Sequence, residues 1–357
     1  MSYRVEALTF FRFVAAMIVV IFHFGKKATG FGGILTAGSQ MVTFFFVLSG
    51  FVMVLPYYSK NNISVTSYWW ARLSRIMPMY LLSLALMVMY IYFDHEEINA
   101  ISLILNLLLL QSWVSPHPLS INSPGWALSI EVFFYFTFPM ILMFIKKRNI
   151  PAMKIVFAAV ALWAVTQAIL AYLLSGGFYR EAPSLSHDLI YYFPLPHFCS
   201  FLLGISGGVW FVTRDFRVRS DYQSIAIVGI AVLLVVFALN NQSQMASFLG
   251  FWPAFGSSFF APLFLIFIIS ISICQTRVIE VLSVKPLVLL GEASYSLYIL
   301  QEPVYKFYSR HFTGIDMSAQ LNFYAYLVLL TAISVLSFLL FERPANKFLR
   351  LSLSKFE

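Results

Sequence analysis

The chain has 357 residues, of which 60% are hydrophobic, 18% aromatic and only 11% charged, and its mean hydropathy is +0.83; a soluble domain carries about 25% charged residues. That composition excludes a soluble enzyme, a disordered or collagen-like chain, and a disulfide-stapled secreted domain, since Gly is 17, Pro is 15 and the only cysteines are Cys199 and Cys274. The net charge of +8 does not point to nucleic acid, because most basic residues sit in short clusters between apolar runs, as they do in the loops that orient a membrane protein.

Windows of about 18 apolar residues predict ten spans in chain order, near 6–25, 40–58, 76–93, 127–145, 152–174, 191–212, 223–240, 256–274, 287–305 and 321–341. Arg12 interrupts the first span and no A-x-A-like cleavage site follows it, so it reads as a retained helix rather than a signal peptide. An eleventh apolar stretch, 98–113, runs into Ser115-Pro116-His117-Pro118 and Asn122-Ser123-Pro124-Gly125, which are hostile to a helix. Were it to cross, either Lys60, Arg72 and Arg75 or the cluster Lys146, Lys147, Arg148 and Lys154 would lie outside. A re-entrant or interfacial segment over 98–125 keeps both sets inside, together with Arg4, Arg214, Arg217, Arg219, Arg277, Lys285, Arg343, Lys347, Arg350 and Lys355. The expected fold is therefore an all-α polytopic membrane protein of about ten transmembrane helices plus one re-entrant segment, with both termini cytoplasmic and residues 1–357 forming one membrane domain. Non-helical backbone at membrane depth needs protein or a water-filled cavity around it, so a polar cavity is expected beside this segment on the outer side. No internal repeat is visible.

Charged side chains at membrane depth cost a few kcal/mol or more and are functional candidates by default. Arg12 and His23 stand eleven positions apart on the first span, close to three whole turns and about 16 Å along the axis, so they share one helix face. Glu131, near the outer end of the fourth span, is placed by sequence at about the depth of His23, where a carboxylate can orient an imidazole base. The alternatives are an interfacial His23 and a purely structural Arg12–Glu131 ion pair. Arg72 and Arg75 lie three apart at the inner mouth of the third span, where two guanidiniums can fork onto phosphates of a cytoplasmic ligand or serve as ordinary positive-inside anchors. Glu292 and Glu302 flank the ninth span. His95, His117, His187, His197 and His311 are expected in or near outer loops, and Gly204-x-x-x-Gly208 in the sixth span is a helix-packing signal. There is no Walker A loop, no dinucleotide fingerprint, no HExxH and no CxxC, and no metal site is expected.

The local strings resemble those of the integral-membrane acyltransferase family 3, whose members O-acylate extracytoplasmic glycans. They are Arg12-x10-His23, Phe44-Phe45-Phe46-Val47-Leu48-Ser49-Gly50-Phe51, Arg72-x-x-Arg75, Trp126-Ala127-Leu128-Ser129-Ile130-Glu131-Val132-Phe133-Phe134-Tyr135, Gly291-Glu292-Ala293-Ser294-Tyr295-Ser296-Leu297-Tyr298 and Phe341-Glu342-Arg343-Pro344, and they run in order through the whole chain. The resemblance implies an O-acyltransferase of a bacterial inner membrane that carries no tightly bound cofactor. Its donor would be cytoplasmic acetyl-CoA and its acceptor a hydroxyl of a lipid-linked or polymeric glycan, with the lipid bilayer and glycan-assembly machinery as partners. On this reading His23 and Glu131 are catalytic, Arg12, Arg72 and Arg75 hold the donor, and Ser49, Trp126, Tyr295, Gln301 and Glu302 line the acceptor site or cavity. Where the family commonly has a histidine before the proline of the ninth span, this chain has Gln301-Glu302-Pro303, and Gln301 cannot act as a base. Members often carry a fused extracytoplasmic domain, and none is expected here. The competing reading is a transporter or flippase for an anionic or lipid-linked substrate, with Arg12 and Glu131 at its site.

Overall fold

The computed structural model describes residues 2–27, 34–60, 62–214, 218, 220–274, 277–312 and 318–353; Arg217, Arg219 and Lys355 of the expected inner set lie outside them. The helices, in chain order, are α1 (Ser2–Phe24), α2 (Ile34–Tyr57), α3 (Val65–Phe93), α4 (Ala100–Leu107), α5 (Gly125–Lys147), α6 (Ala152–Ser175), α7 (Leu185–Tyr191), α8 (Pro194–Val212), α9 (Asp221–Asn240), α10 (Gln242–Leu249), α11 (Ala261–Ile273), α12 (Arg277–Leu282), α13 (Lys285–Glu292), α14 (Ser294–Phe312), α15 (Ala319–Ser337) and α16 (Arg343–Leu353). Apart from an isolated bridge between Val218 and Cys274, no strand occurs among the described residues. Several helices begin where a Ser or Asn side chain accepts an otherwise orphaned backbone N–H: Asn99 from Ser102 at 3.0 Å, Ser184 from His187 at 3.1 Å and Ser318 from Leu321 at 3.2 Å.

Eight helical stretches are long and apolar enough to cross a membrane, Glu6–Phe24, Ala37–Tyr57, Val65–Phe93, Gly125–Lys147, Ala152–Ser175, Leu185–Val212, Asp221–Asn240 and Ala319–Leu351. They make the chain an all-α polytopic membrane protein. The two remaining predicted spans differ in form. The stretch 256–274 yields α11, whose 13 residues reach about 20 Å, short of the roughly 30 Å hydrocarbon core. The stretch 287–305 is split between α13 and α14 at Ala293, and α14 carries Glu302, Lys306, Arg310 and His311.

The centre of the bundle is α2 packed on α8. An added Cβ at Gly50 would lie 2.2 Å from the Phe201 carbonyl oxygen, and one at Gly204 would lie 2.1 Å from that of Val47. Hydrogen is thus all that either helix tolerates at the crossing, which is what the small-residue spacing of α8 signals.

Residues 98–124 do not form a spanning helix. The eight residues of α4 extend about 12 Å, after which the chain turns back through a short 3-10 turn at Gln111–Trp113 into α5. Several of its polar groups are satisfied by protein, while Gln111 Oε1 and Asn122 Oδ1 are buried without a hydrogen-bond partner. Tyr80 donates to the Asn106 carbonyl at 2.7 Å, and the Asn106 amide donates to Ser120 Oγ at 2.8 Å. Gln111 donates to the Gly125 carbonyl at 2.9 Å, and Ser129 donates to the Leu109 carbonyl at 2.6 Å. These side chains supply protein partners for the non-helical backbone, as membrane depth requires.

Candidate functional site

A cavity of about 990 Å³ opens among α1, α2, α3, α5, α14 and α16, and Arg12, Ser49, Arg72, Arg75, Glu131 and Tyr295 all line it. It therefore unites Arg12, Arg72 and Arg75 with residues of all six sequence strings. Arg72 reaches it by stacking on two tyrosines, with its guanidinium carbon 5.9 Å from the Tyr57 ring centre and 5.6 Å from that of Tyr68. Arg72 Nε is buried without a hydrogen-bond partner. Glu131 Oε1 accepts from Ser49 Oγ at 2.9 Å and from Tyr135 OH at 2.7 Å. The electrostatic neighbours of Arg12 are Arg75, Glu131, Tyr135 and Glu342. No ion pair within 4 Å joins Arg12 to Glu131 among the described residues, so the structural ion pair considered from sequence does not form.

His23 lies elsewhere. It ends α1 with an exposed side chain, lines no part of that cavity, and its Nδ1 is 3.0 Å from Gln301 Oε1. Gln301 is itself fully buried; its Nε2 donates to the Tyr298 carbonyl at 2.7 Å, and its carbonyl accepts from Tyr326 OH at 2.9 Å. One residue on, Glu302 Oε2 accepts from both the backbone N–H and the Oγ of Ser123, each at 2.6 Å. Asn122 donates to the Ile299 carbonyl at 3.1 Å, so the folded segment is tied along α14 beside His23.

The expected orientation of His23 by Glu131 is thus corrected: the two share no hydrogen bond, and Glu131 belongs to the arginine cavity. The cause is the segment 98–124, which sits on the first turn of α5 through Gln111 and Ser129. That helix starts against the segment, and six residues further along Glu131 lines the cavity together with Arg12. The expected cavity-lining set divides in the same way. Ser49 and Tyr295 line the cavity, and Tyr295 OH donates to the Ile76 carbonyl at 2.7 Å. Gln301 and Glu302 flank His23, while Trp126 packs between His197 at 5.5 Å and Tyr192 at 5.1 Å, away from both. His197, expected in or near an outer loop, is instead buried in α8 and bonded through Nε2 to the Tyr191 carbonyl at 2.9 Å.

The sequence assigns Glu342 no role and places Arg343, Lys347 and Arg350 only among the inner-side charges. Glu342 ends a π-helical turn over Phe338–Glu342, is 4% exposed, and accepts from Ser296 Oγ at 2.6 Å while facing the cavity. Single π turns inside α-helices often occur at functional sites. Arg343, Lys347 and Arg350 line the cavity mouth; their spacing in the last helix was the available signal. No group of three or more His, Cys, Asp or Glu placed to hold a metal occurs among the described residues.

Residues 5–342 match the family described as Acyltransferase domain, family 3. The chain belongs to this family. Among its acyltransferase relatives, O-acetyltransferase OatA of Staphylococcus aureus strain NCTC 8325 is 25% identical over 369 residues, covering 94% of this chain and 56% of OatA. Acyltransferase MdmB of Streptomyces mycarofaciens is 33% identical over 177 residues, covering 45% of this chain and 44% of MdmB. The chain thus spans about half the length of these curated relatives. No solved structure matches it.

Proposed function

We propose that this acyltransferase moves an acetyl group from cytoplasmic acetyl-CoA to a hydroxyl of an extracytoplasmic or lipid-linked glycan, in a bacterial inner membrane. The single observation that carries the reading is the division of one helix face: Arg12 opens into a cation-rich cavity, and His23 ends the same helix eleven residues on beside Gln301. Two ligands of different chemistry meeting from opposite sides suit this arrangement better than one ligand bound alternately from both, whose site is usually at the midplane. The basic clusters of the Arg72 end support reading it as the cytoplasmic end.

In this mechanism Arg72 and Arg75 fork onto donor phosphates, and Arg12 draws the thioester end toward the upper part of α1. Glu131, held by Ser49 and Tyr135, keeps the three guanidiniums from repelling one another and preserves their geometry. At the far end Gln301 can only accept through Oε1, because its amide nitrogen is committed to Tyr298. The proton of His23 therefore sits on Nδ1, and Nε2 presents a lone pair. His23 Nε2 takes the proton of the acceptor hydroxyl as that oxygen attacks the thioester carbonyl. The new ester C–O bond forms, the C–S bond breaks, and CoA leaves as a thiolate that is protonated to the thiol.

The test is transfer of radiolabelled acetyl from acetyl-CoA to endogenous glycan in inverted membrane vesicles, comparing wild type with His23→Ala and Arg72→Ala at matched expression. Label in the glycan that disappears with either substitution supports the reading. Absence of label with native glycan present overturns it.

A further inference from the structure

Arg12, Arg72 and Arg75, the arginines the sequence assigned to the donor, account for only half of the cavity's cations. Three more, Arg343, Lys347 and Arg350, come from α16, and only three carboxylates, Glu131, Glu292 and Glu342, line the same space. Two of those carboxylates are already occupied by hydroxyl donors, Glu131 by Ser49 and Tyr135 and Glu342 by Ser296. Among the described residues no cavity cation has a carboxylate within 4 Å; the ion pair found there joins Arg310 to Asp94. Positions 343, 347 and 350 follow the three-to-four spacing of one helix face, where like charges repel unless an anion joins them.

That face is built into the wall rather than left as a free anchor. Trp70 Nε1 donates to the Leu349 carbonyl at 3.0 Å and Arg350 Nη2 donates to the Ala71 carbonyl at 3.4 Å, which fastens α16 to α3 one residue from Arg72. Asn346, between the basic residues, lines the cavity with a buried Oδ1 that has no hydrogen-bond partner. Phe348 is 70% exposed, so the apolar and basic sides of α16 are separated, as in a helix lying at a membrane interface.

Exposure orders the cations. Arg12, Arg72 and Arg75 are half-buried, whereas Lys347 and Arg350 are exposed at the mouth. In a coenzyme A thioester the ribose 3′-phosphate is the phosphate farthest from the acyl group, with the diphosphate between them. When the acyl end points inward along α1, the diphosphate meets Arg72 and Arg75, and the last phosphate meets the outermost cations. We propose that Lys347 and Arg350 of α16 form a subsite for the ribose 3′-phosphate of the donor, making this helix the element that selects coenzyme A over donors lacking that group. This rests on the donor reading above. The cavity volume of about 990 Å³ lies at the upper end of ordinary ligand pockets, as so large a donor requires.

The test is binding rather than turnover. Coenzyme A and 3′-dephospho-coenzyme A are titrated into the purified full chain in an uncharged detergent, for wild type, Lys347→Ala/Arg350→Ala and Arg350→Glu. Wild type is expected to bind coenzyme A at least tenfold more tightly, and both variants to lose that preference while still binding the dephospho compound, which also reports that they are folded. Equal binding of the two compounds by wild type overturns the proposal, as it would if the face held lipid headgroups instead; so does a preference that survives in the variants. A wild type that discriminates the 3′-phosphate yet labels no glycan from acetyl-CoA keeps this subsite and removes the proposed transfer. Transfer without discrimination does the reverse.

Discussion

His23 Nδ1 lies 3.0 Å from Gln301 Oε1, and the other end of that amide is fixed by the Tyr298 carbonyl 2.7 Å away. A glutamine held in this way is a one-way partner: it accepts a proton-bearing nitrogen and cannot take the proton, so it selects the tautomer without sharing the charge. In the proposed mechanism Gln301 is therefore a positioning residue for His23. Replacing His23 by Ala should lower kcat by about 10²–10⁴-fold, the usual worth of a general base. Gln301→Leu should cost less, because a fraction of His23 still adopts the productive tautomer. Gln301→Glu places a carboxylate against the imidazole and favours its charged form. The proposed mechanism needs the neutral ring, so in that variant activity should fall away at a higher pH on acidification than in wild type. A pH–rate profile of transfer from pH 5 to 8 checks this; identical acid limbs in wild type and Gln301→Glu would remove Gln301 from the mechanism.

Glu131 gives the opposite expectation. It touches Ser49 and Tyr135 and not His23, so Glu131→Gln should leave the acid limb of the profile where it is. The damage should appear in donor handling, as a changed KM for the donor, since the carboxylate that Ser49 and Tyr135 hold beside Arg12 is lost. An acid limb displaced by Glu131→Gln would restore the His23–Glu131 partnership that the geometry denies.

The Glu302–Ser123 contact ties the folded segment to α14 with two hydrogen bonds to one charged oxygen, each 2.6 Å. Hydrogen bonds to charged groups are worth about 1.5–3 kcal/mol each. Glu302→Ala should lower thermal stability in detergent and raise hydrogen exchange over 98–124 selectively, while Ser123→Ala, which leaves the backbone N–H in place, should do about half as much. Uniform exchange changes across the chain would show that the tie does not secure this segment.

How much of this was legible in the sequence depends on what fixes each feature. Hydropathy located the spans, because a lipid-facing helix must be apolar wherever it packs. It missed the forms of 256–274 and 287–305, since a window average does not register that α11 stops at 13 residues or that the chain breaks at Ala293. The arginine cavity was legible as separate strings, and Arg12, Arg72 and Arg75 do converge there. The depth of Glu131 was not, because it depends on residues 98–124 sitting on the first turn of α5, a tertiary contact carried by Gln111 and Ser129. Lys347 and Arg350 read equally well as positive-inside anchors, and only the direction in which α16 presents them distinguishes the two roles.

The crossing of α2 and α8 makes the steepest structural prediction. At Gly50 the Cβ of an alanine would stand 2.2 Å from the backbone oxygen of Phe201, and at Gly204 it would stand 2.1 Å from that of Val47. A carbonyl oxygen in a helix cannot rotate away as a side chain does, so the helices themselves must separate. Overpacking a core costs about 1–3 kcal/mol when side chains can adjust, and a backbone clash at the bundle centre belongs at or above the top of that range. Separation would also pull Ser49 from Glu131, coupling the packing fault to the cavity. Gly229 in α9 and Gly177 have nothing within 4 Å of the added methyl group, so alanine at either should leave stability within about 1 kcal/mol of wild type. Fluorescence-detected size exclusion and thermal melts of the four single variants check the contrast: Gly50→Ala and Gly204→Ala should give low yields of folded protein, and Gly177→Ala and Gly229→Ala wild-type yields. If Gly50→Ala and Gly204→Ala melt with wild type, the two helices do not cross as closely as described.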